Sequence, residues 1–312
     1  MRAREHVDGV HGECFFCLLL RRIAAREGSG TMIIGRKQRV INTTLTYLTL
    51  GVFSIFCLFP FLWMLDTAFK PLEEVRSLAP SLLIINPTLD NFRHVLVQSQ
   101  FVAYFRNSAI VAAFSTLVTL LVSTFSSYAL SRWPTFLASR SVGAALLVSQ
   151  MIPGVLLLVP IYMLMRKLDL LSTYSGLVIV YCTFMIPLAT FMLKGFFDAV
   201  PREIEEASEI DGCGRLGFIW RVLLPLSLPG IVATAAFAFV AAWNEFMFGY
   251  VLINDDARRT LTPGIMIFKG SHVTDWGSLM AASVLAVVPV ALCFVYIQRF
   301  LVSGLSAGAV KG

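Results

Sequence analysis

Charge is scarce in this sequence. Only 14% of its 312 residues are Asp, Glu, Lys or Arg, about half the proportion usual in a soluble domain, so water is not its main solvent. Histidine is scarcer. His6, His11, His94 and His272 all stand outside the long apolar runs and no H-E-x-x-H occurs, which argues against a zinc-dependent membrane enzyme. There is no G-x-x-x-x-G-K-[ST] phosphate loop, nor any Gly-Lys dipeptide, so the chain cannot bind ATP by that route. Cysteines suggest no disulfide framework, since Cys57, Cys182 and Cys293 fall inside apolar runs, where Cys behaves as a small hydrophobe. Cys14 and Cys17 form a C-x-x-C pair without the second pair or βαβ pattern that would make it a metal or redox site, and are read as incidental.

What the chain has in abundance is apolar length. Hydrophobic residues make up 57% and the mean hydropathy is +0.77, which excludes a disordered chain and an ordinary single-core globule and leaves an all-α polytopic membrane protein. A span needs roughly 20 mainly apolar residues in a helix, which bonds its backbone polar groups internally. Six stretches qualify, at about 43–65, 108–130, 142–165, 173–193, 231–252 and 281–301. An even number puts both termini on one side, and Arg36, Lys37 and Arg39 before the first span place that side in the cytoplasm. The formal charge of +6 is then a property of membrane loops, and nucleic acid is not an expected partner. The expected organisation is a tail over 1–40, a six-helix membrane domain over 41–303 with a cytoplasmic loop at 198–229, and a tail over 304–312. Residues 1–31 resemble nothing that follows and are read as an upstream extension or a loose tail, with Met32 as the functional start.

The loop between the fourth and fifth spans is the most informative segment. Pro201 suits a first helical position, Glu203, Glu205 and Glu206 suit the positive end of the helix dipole, and Gly212 can take the positive φ at which such a helix stops. A second, apolar helix follows through Leu216, Phe218, Ile219, Val222 and Leu223 until Pro225 ends it. The pattern predicts two short helices meeting in a compact knuckle.

These residues resemble the membrane permease subunits of ATP-binding-cassette (ABC) importers, whose cytoplasmic loop carries Glu-Ala-Ala, three residues, Gly, nine residues, then Ile-x-Leu-Pro. Glu206, Ala207, Ser208, Gly212, Val222, Leu224 and Pro225 occupy those positions, with Ser208 for the second Ala and Val222 for Ile. The resemblance implies a type I importer permease fold and a coupling helix seated on an ATPase subunit, with Glu206, Ala207, Ser208, Asp211, Gly212, Val222, Leu224 and Pro225 at the contact. It narrows to the smaller permease subunit of maltose-type carbohydrate importers through Phe69-Lys70-Pro71, Thr88-Leu89-Asp90-Asn91-Phe92, Trp243-Asn244-Glu245 and the closing run from Gly304 to Gly312. It implies a second, non-identical permease, two ATPase subunits that carry the ATP and Mg, and an extracytoplasmic sugar-binding protein. The chain itself would be non-catalytic and bind no cofactor.

Glu245 is the one acid inside any of the six stretches, and an ionisable group there costs roughly 2.5 to 3.5 kcal/mol unless it faces protein or water. It is expected to point inward, either beside a translocation path with Asn244 and Trp243 or in a helix-to-helix hydrogen bond. A stand-alone ion-coupled carrier titrating Glu245 is the rival reading. Trp243, Phe246, Phe248 and Tyr250 could stack on a sugar or form an interfacial belt, and Pro153, Pro160, Pro187 and Pro289 interrupt the later spans, with Gly154 the most flexible neighbour. The loop from Asn254 to Asp275 is read either as a binding-protein contact, by the same resemblance, or as a plain solvated loop.

Overall fold

The computed structural model describes residues 36–77, 84, 86–270 and 273–308, with side chains described between 41 and 298. The expectations for residues 1–31, including the Cys14–Cys17 pair, and for the last four residues lie outside the described residues. All regular structure among the described residues is helical. The chain divides into two compact units, 1–60 and 61–312.

The first unit is carried by helix α1, Arg36–Ala68. Its side chains from 41 to 60 are exposed, among them Phe53, Ile55 and Phe56. Thr46 and Thr49 donate back to the carbonyls of Asn42 and Leu45 at 2.9 Å, so these two hydroxyls are satisfied within the helix. An apolar surface over a self-satisfied backbone is what a hydrocarbon environment requires.

The second unit holds α2 (Phe101–Arg132), α3 (Leu137–Gln150), α4 (Leu158–Lys167), α5 (Tyr174–Asp198), α6 (Arg202–Ile210), α7 (Arg215–Phe218), α8 (Leu228–Asn244), α9 (Met247–Leu252) and α10 (Trp276–Gly308). Helix α2 packs chiefly on α5 and α8, and α8 also packs on α10. The cause lies in the sequence of α2: Ser115, Thr119, Ser123, Ser127 and Ser131 recur every fourth residue, form one stripe and are all buried. Small residues in such a stripe let membrane helices approach closely. Across this seam Ser123 Oγ donates to the carbonyl of Ile186 at 3.3 Å, and Cys182 Sγ to that of Ser115 at 3.5 Å.

Among the described residues four helices are long and apolar enough to cross a membrane, and two bent pairs bring the number to six if each pair is one span. Two of the expected spans are interrupted. The stretch 142–165 is broken after Gln150, where Pro153 and a tight turn over Gly154–Leu157 set α3 and the following helix at 95°. The stretch 231–252 ends as a helix at Asn244, because Glu245 is extended (φ −67°, ψ 126°). The 17 residues of α8 rise about 25 Å, short of a hydrocarbon core of about 30 Å, and α9 resumes after the break. Prolines interrupt less than expected: Pro187 and Pro289 sit within continuous α5 and α10. Pro160 is the third residue of α4, where its missing N–H leaves no intrahelical bond unmade. Gly304-Leu305-Ser306-Ala307-Gly308 has the spacing of a nucleophile elbow but lies inside α10, not at the strand-to-helix turn that chemistry needs.

Two hydrophobic cores result among the described residues. The larger joins α2, α5, α8, α10 and the segment after α9 through residues such as Tyr104, Tyr181, Trp243, Leu252 and Leu261. The smaller packs Tyr128, Leu193, Phe197, Val200, Phe218, Ile219 and Leu223 where α2 and α5 end and α7 begins.

Candidate functional site

The smaller core is the base of the knuckle. Helix α6 starts after Pro201, one residue later than expected, and Gly212 ends it at φ +79°. The Gly212 N–H donates to the Glu209 carbonyl at 3.0 Å and the Cys213 N–H to Ser208 at 2.9 Å, the double bond pattern of a Schellman stop. The chain then turns into α7, whose Phe218 is buried, and continues through Ile219–Leu226 to a sharp 85° bend at Ser227 before α8. Pro225 and Pro229 flank that bend.

Packing divides the expected coupling residues into two groups. Glu206, Ala207, Asp211, Gly212 and Pro225 are exposed, while Ser208, Val222 and Leu224 are half-buried. Ser208 turns back on its own helix, its Oγ donating to the Glu205 carbonyl at 2.8 Å. The exposed side also carries Ile210, 87% exposed, with Leu216 and Trp220. Apolar residues presented beside acids form a docking surface in composition: a greasy centre and a charged rim. Ile210 and Trp220 were not singled out from the sequence, although both belong to the apolar positions of the loop.

The knuckle is anchored by residues the sequence reading did not connect. Arg132, the last residue of α2 and 8% exposed, sets Nε 2.7 Å from Glu205 Oε2 as an ion pair. Its Nη1 donates to the carbonyls of Val200 and Phe197 at 3.3 and 3.5 Å, at the end of α5. The Tyr128 hydroxyl makes a short hydrogen bond to Glu205. Arg202 reaches back to the Arg132 carbonyl at 2.9 Å, and the Arg215 guanidinium lies over the Trp133 ring at 5.3 Å.

At the other end of α8, Trp243, Asn244 and Glu245 part company. Trp243 is buried, stacked on Phe239, edge-on to Phe105, and bonded through Nε1 to the Ala286 carbonyl at 3.1 Å. It belongs to the larger core. Glu245 lies at the helix break, not inside a span, and its two oxygens accept from the N–H groups of Phe248 and Gly249 at 2.9 and 3.0 Å. It is the cap of α9. Asn244 alone of the three is exposed. The aromatics split likewise: Phe248 is buried, whereas Phe246 and Tyr250 form an exposed stacked pair.

The segment after α9 packs in part against α2. Ile253, Leu261, Pro263 and Gly264 are buried. Asn107 of α2 donates to the carbonyls of Ala257 and Arg259, both at 2.9 Å, Tyr104 bonds Asp256 at 3.0 Å, and Ser108 Oγ accepts the Leu261 N–H at 2.7 Å. Two other short runs also meet: Asn91 Nδ2 donates to the carbonyls of Ala68 and Lys70, and the Phe69 and Phe92 rings touch at 4.9 Å.

Comparison with known proteins agrees with this arrangement. Residues 125–307, a stretch containing the knuckle and its anchors, match the family described as binding-protein-dependent transport system inner membrane component. The inner membrane ABC transporter permease protein YcjP of Escherichia coli is 36% identical over 277 residues, covering 88% of this chain and 99% of the relative. The trehalose/maltose transport system permease protein MalG of Thermococcus litoralis is 35% identical over 279 residues, with the same coverage of each. A chain in the crystal structure of a bacterial ABC transporter involved in import of the acidic polysaccharide alginate has a TM-score of 0.75 at 19% identity, covering 86% of this chain and 99% of that one, and so shares its fold. A buried helical bundle with an anchored, outward-facing knuckle, matched over more than half its length, belongs to the inner membrane components of binding-protein-dependent transport systems, the permease subunits of ABC transporters.

Proposed function

We propose that this chain is one of two permease subunits of an ATP-driven sugar importer, forming half of the translocation path and receiving ATPase motion at the knuckle. The observation that carries the reading is the exposed face of α6 and α7, where Glu206, Ala207, Asp211 and Gly212 stand beside uncovered Ile210 and Trp220 on a base of buried side chains. A surface that is rigidly supported yet apolar is suited to seating in a partner protein. The chain lacks a phosphate loop, so ATP and Mg belong to two ATPase subunits and this subunit is non-catalytic. A second, non-identical permease and an extracytoplasmic sugar-binding protein complete the assembly. The sugar class is supported by the trehalose/maltose relative and by the four sequence runs described above.

In this reading the knuckle faces the cytoplasm of a bacterial cell, both termini lie on that side, and the protein is a multi-pass resident of the inner membrane. Arg36, Lys37 and Arg39 before α1 support that orientation. Asn244, the exposed member of its triad, is the path residue, while Glu245 fixes the turn beside it. A stand-alone carrier titrating Glu245 is not carried forward, because that carboxylate already caps α9 and the chain belongs to a family of ABC permeases. Gentle solubilisation from the native host should recover an ATPase subunit and a second permease with this chain. Gly212→Glu should leave ATP hydrolysis running while uptake falls. Purified chain that moves sugar in vesicles with no ATPase aboard would refute the reading.

A further inference from the structure

Helix α6 is held in an unusual way. None of its residues is buried, Glu205 and Ser208 are only half-buried, and its apolar residues Ile204 and Ile210 point outward. Core packing therefore cannot transmit force between α6 and the spans. Apart from the chain connections at each end, Arg202 donates from its side chain to the Arg132 carbonyl at 2.9 Å, and the link between side chains is Glu205. Its carboxylate pairs with the buried Arg132 and accepts from Tyr128, both one turn apart at the end of α2, while Arg132 also holds two carbonyls at the end of α5. Tyr128 in turn packs edge-on to Trp133 and against Phe218 of α7.

We infer that Arg132, Tyr128 and Glu205 form a clasp that makes the coupling helix move with α2 and α5 as one body, so that they act as positioning residues for the transmission of ATPase motion. The chemistry favours a stiff joint. Two short charge-assisted contacts from different side chains fix Glu205 in direction as well as distance, and a buried guanidinium is strongly disfavoured without its counter-charge, so the joint does not open on its own. Exposed Glu206 and Ala207 meet the partner, and Glu205, next in the chain, returns the load to the bundle.

This inference rests on the importer reading, and one experiment separates the two. The full complex, with its second permease, ATPase subunits and binding protein, is placed in lipid vesicles. Among a panel of mono- and disaccharides that includes trehalose and maltose, the sugar that most raises ATP hydrolysis by the wild-type complex serves as the transport probe. Solute moved per ATP hydrolysed is then compared for wild type, Glu205→Gln and Tyr128→Phe. The ratio should fall by roughly three- to thirtyfold in Glu205→Gln and by roughly twofold in Tyr128→Phe, the range expected for residues that carry coupling. Tyr128→Phe keeps the ring contacts, so it decides the matter should Glu205→Gln fail to assemble. Variants that lose transport and hydrolysis in equal proportion, or keep the wild-type ratio, would overturn the clasp. A wild-type complex that responds to no sugar refutes the importer reading and takes the clasp with it.

Discussion

The two ends of α8 are built on opposite terms. At the knuckle end, a short helix without a single buried residue stands on an ionic clasp and shows its apolar side chains to the outside. At the far end, the return through α9 and residues 253–268 buries Ile253, Leu261, Pro263 and Gly264, while Asn107 donates to two of its carbonyls, Ser108 accepts one of its N–H groups and the Tyr104 hydroxyl donates to the Asp256 carboxylate. One end is stiff through a few strong directional contacts and open to a partner. The other spreads its contacts along a folded return that packs on α2. A lever needs the first kind of joint, because a surface spent on internal packing is not available to a second protein.

The contrast can be broken most forcefully at Arg132. Arg132→Ala strands Glu205 without its partner and frees the ends of α5 and α6, and removing one member of a buried pair costs about 3 to 5 kcal/mol. Denaturant unfolding of the purified protein should show a loss of that order. A loss below about 1 kcal/mol, the ceiling for surface pairs, would mean that the clasp is a surface contact. The matching break at the far end is Gly264→Ala, where the added Cβ would fall 2.3 Å from Cδ2 of the Tyr104 ring. Overpacking of this kind costs about 1 to 3 kcal/mol, and the damage should be read in the same unfolding measurement and as faster amide exchange over residues 253–268. Exchange over 202–210, which is held at the ends of α2 and α5, should be unchanged.

A smaller effect is expected at Gly212. Nothing lies within 4 Å of a Cβ built there, so Gly212→Ala meets no clash, and its cost is the backbone strain of a side chain at φ +79°, about 1 to 2 kcal/mol. If unfolding shows no loss, the Schellman stop is not what terminates α6.

These positions also show what could be read from sequence. Gly212, the acids of α6 and the apolar run of α7 were legible because a helix stop and a helix dipole are local effects, set by neighbours within a turn. The seam of α2 follows from a four-residue repeat. The clasp was hidden, since Glu205 reads only as a helix-start acid, Arg132 lies 73 residues before it in the chain, and only the packing of α2 against α5 brings them together. The far-end return was hidden for the same reason: Asn107 bonds carbonyls some 150 residues away, and no local pattern announces that Glu245 will leave the helix to cap the next one. The break at Gln150–Gly154 lay between these cases. Pro153 marked the place, but nothing local gave the 95° angle or the bond from Gln150 Nε2 to the Phe184 carbonyl at 3.3 Å.

Ile210 sharpens the comparison from the other side. At 87% exposure it contributes little to the chain that carries it, and Ile210→Ser should change the unfolding free energy by no more than about 0.5 kcal/mol. The same substitution removes an apolar contact from the face proposed to seat in the ATPase subunit, so less ATPase should copurify with the variant at equal chain recovery. A residue that is neutral for folding but costly for assembly is the signature of a surface kept apolar for a partner. Should Ile210→Ser leave copurification intact, the seat would have to lie elsewhere on the knuckle, at Trp220 and Leu216, and the exposed end of α6 would be a spacer rather than the contact itself.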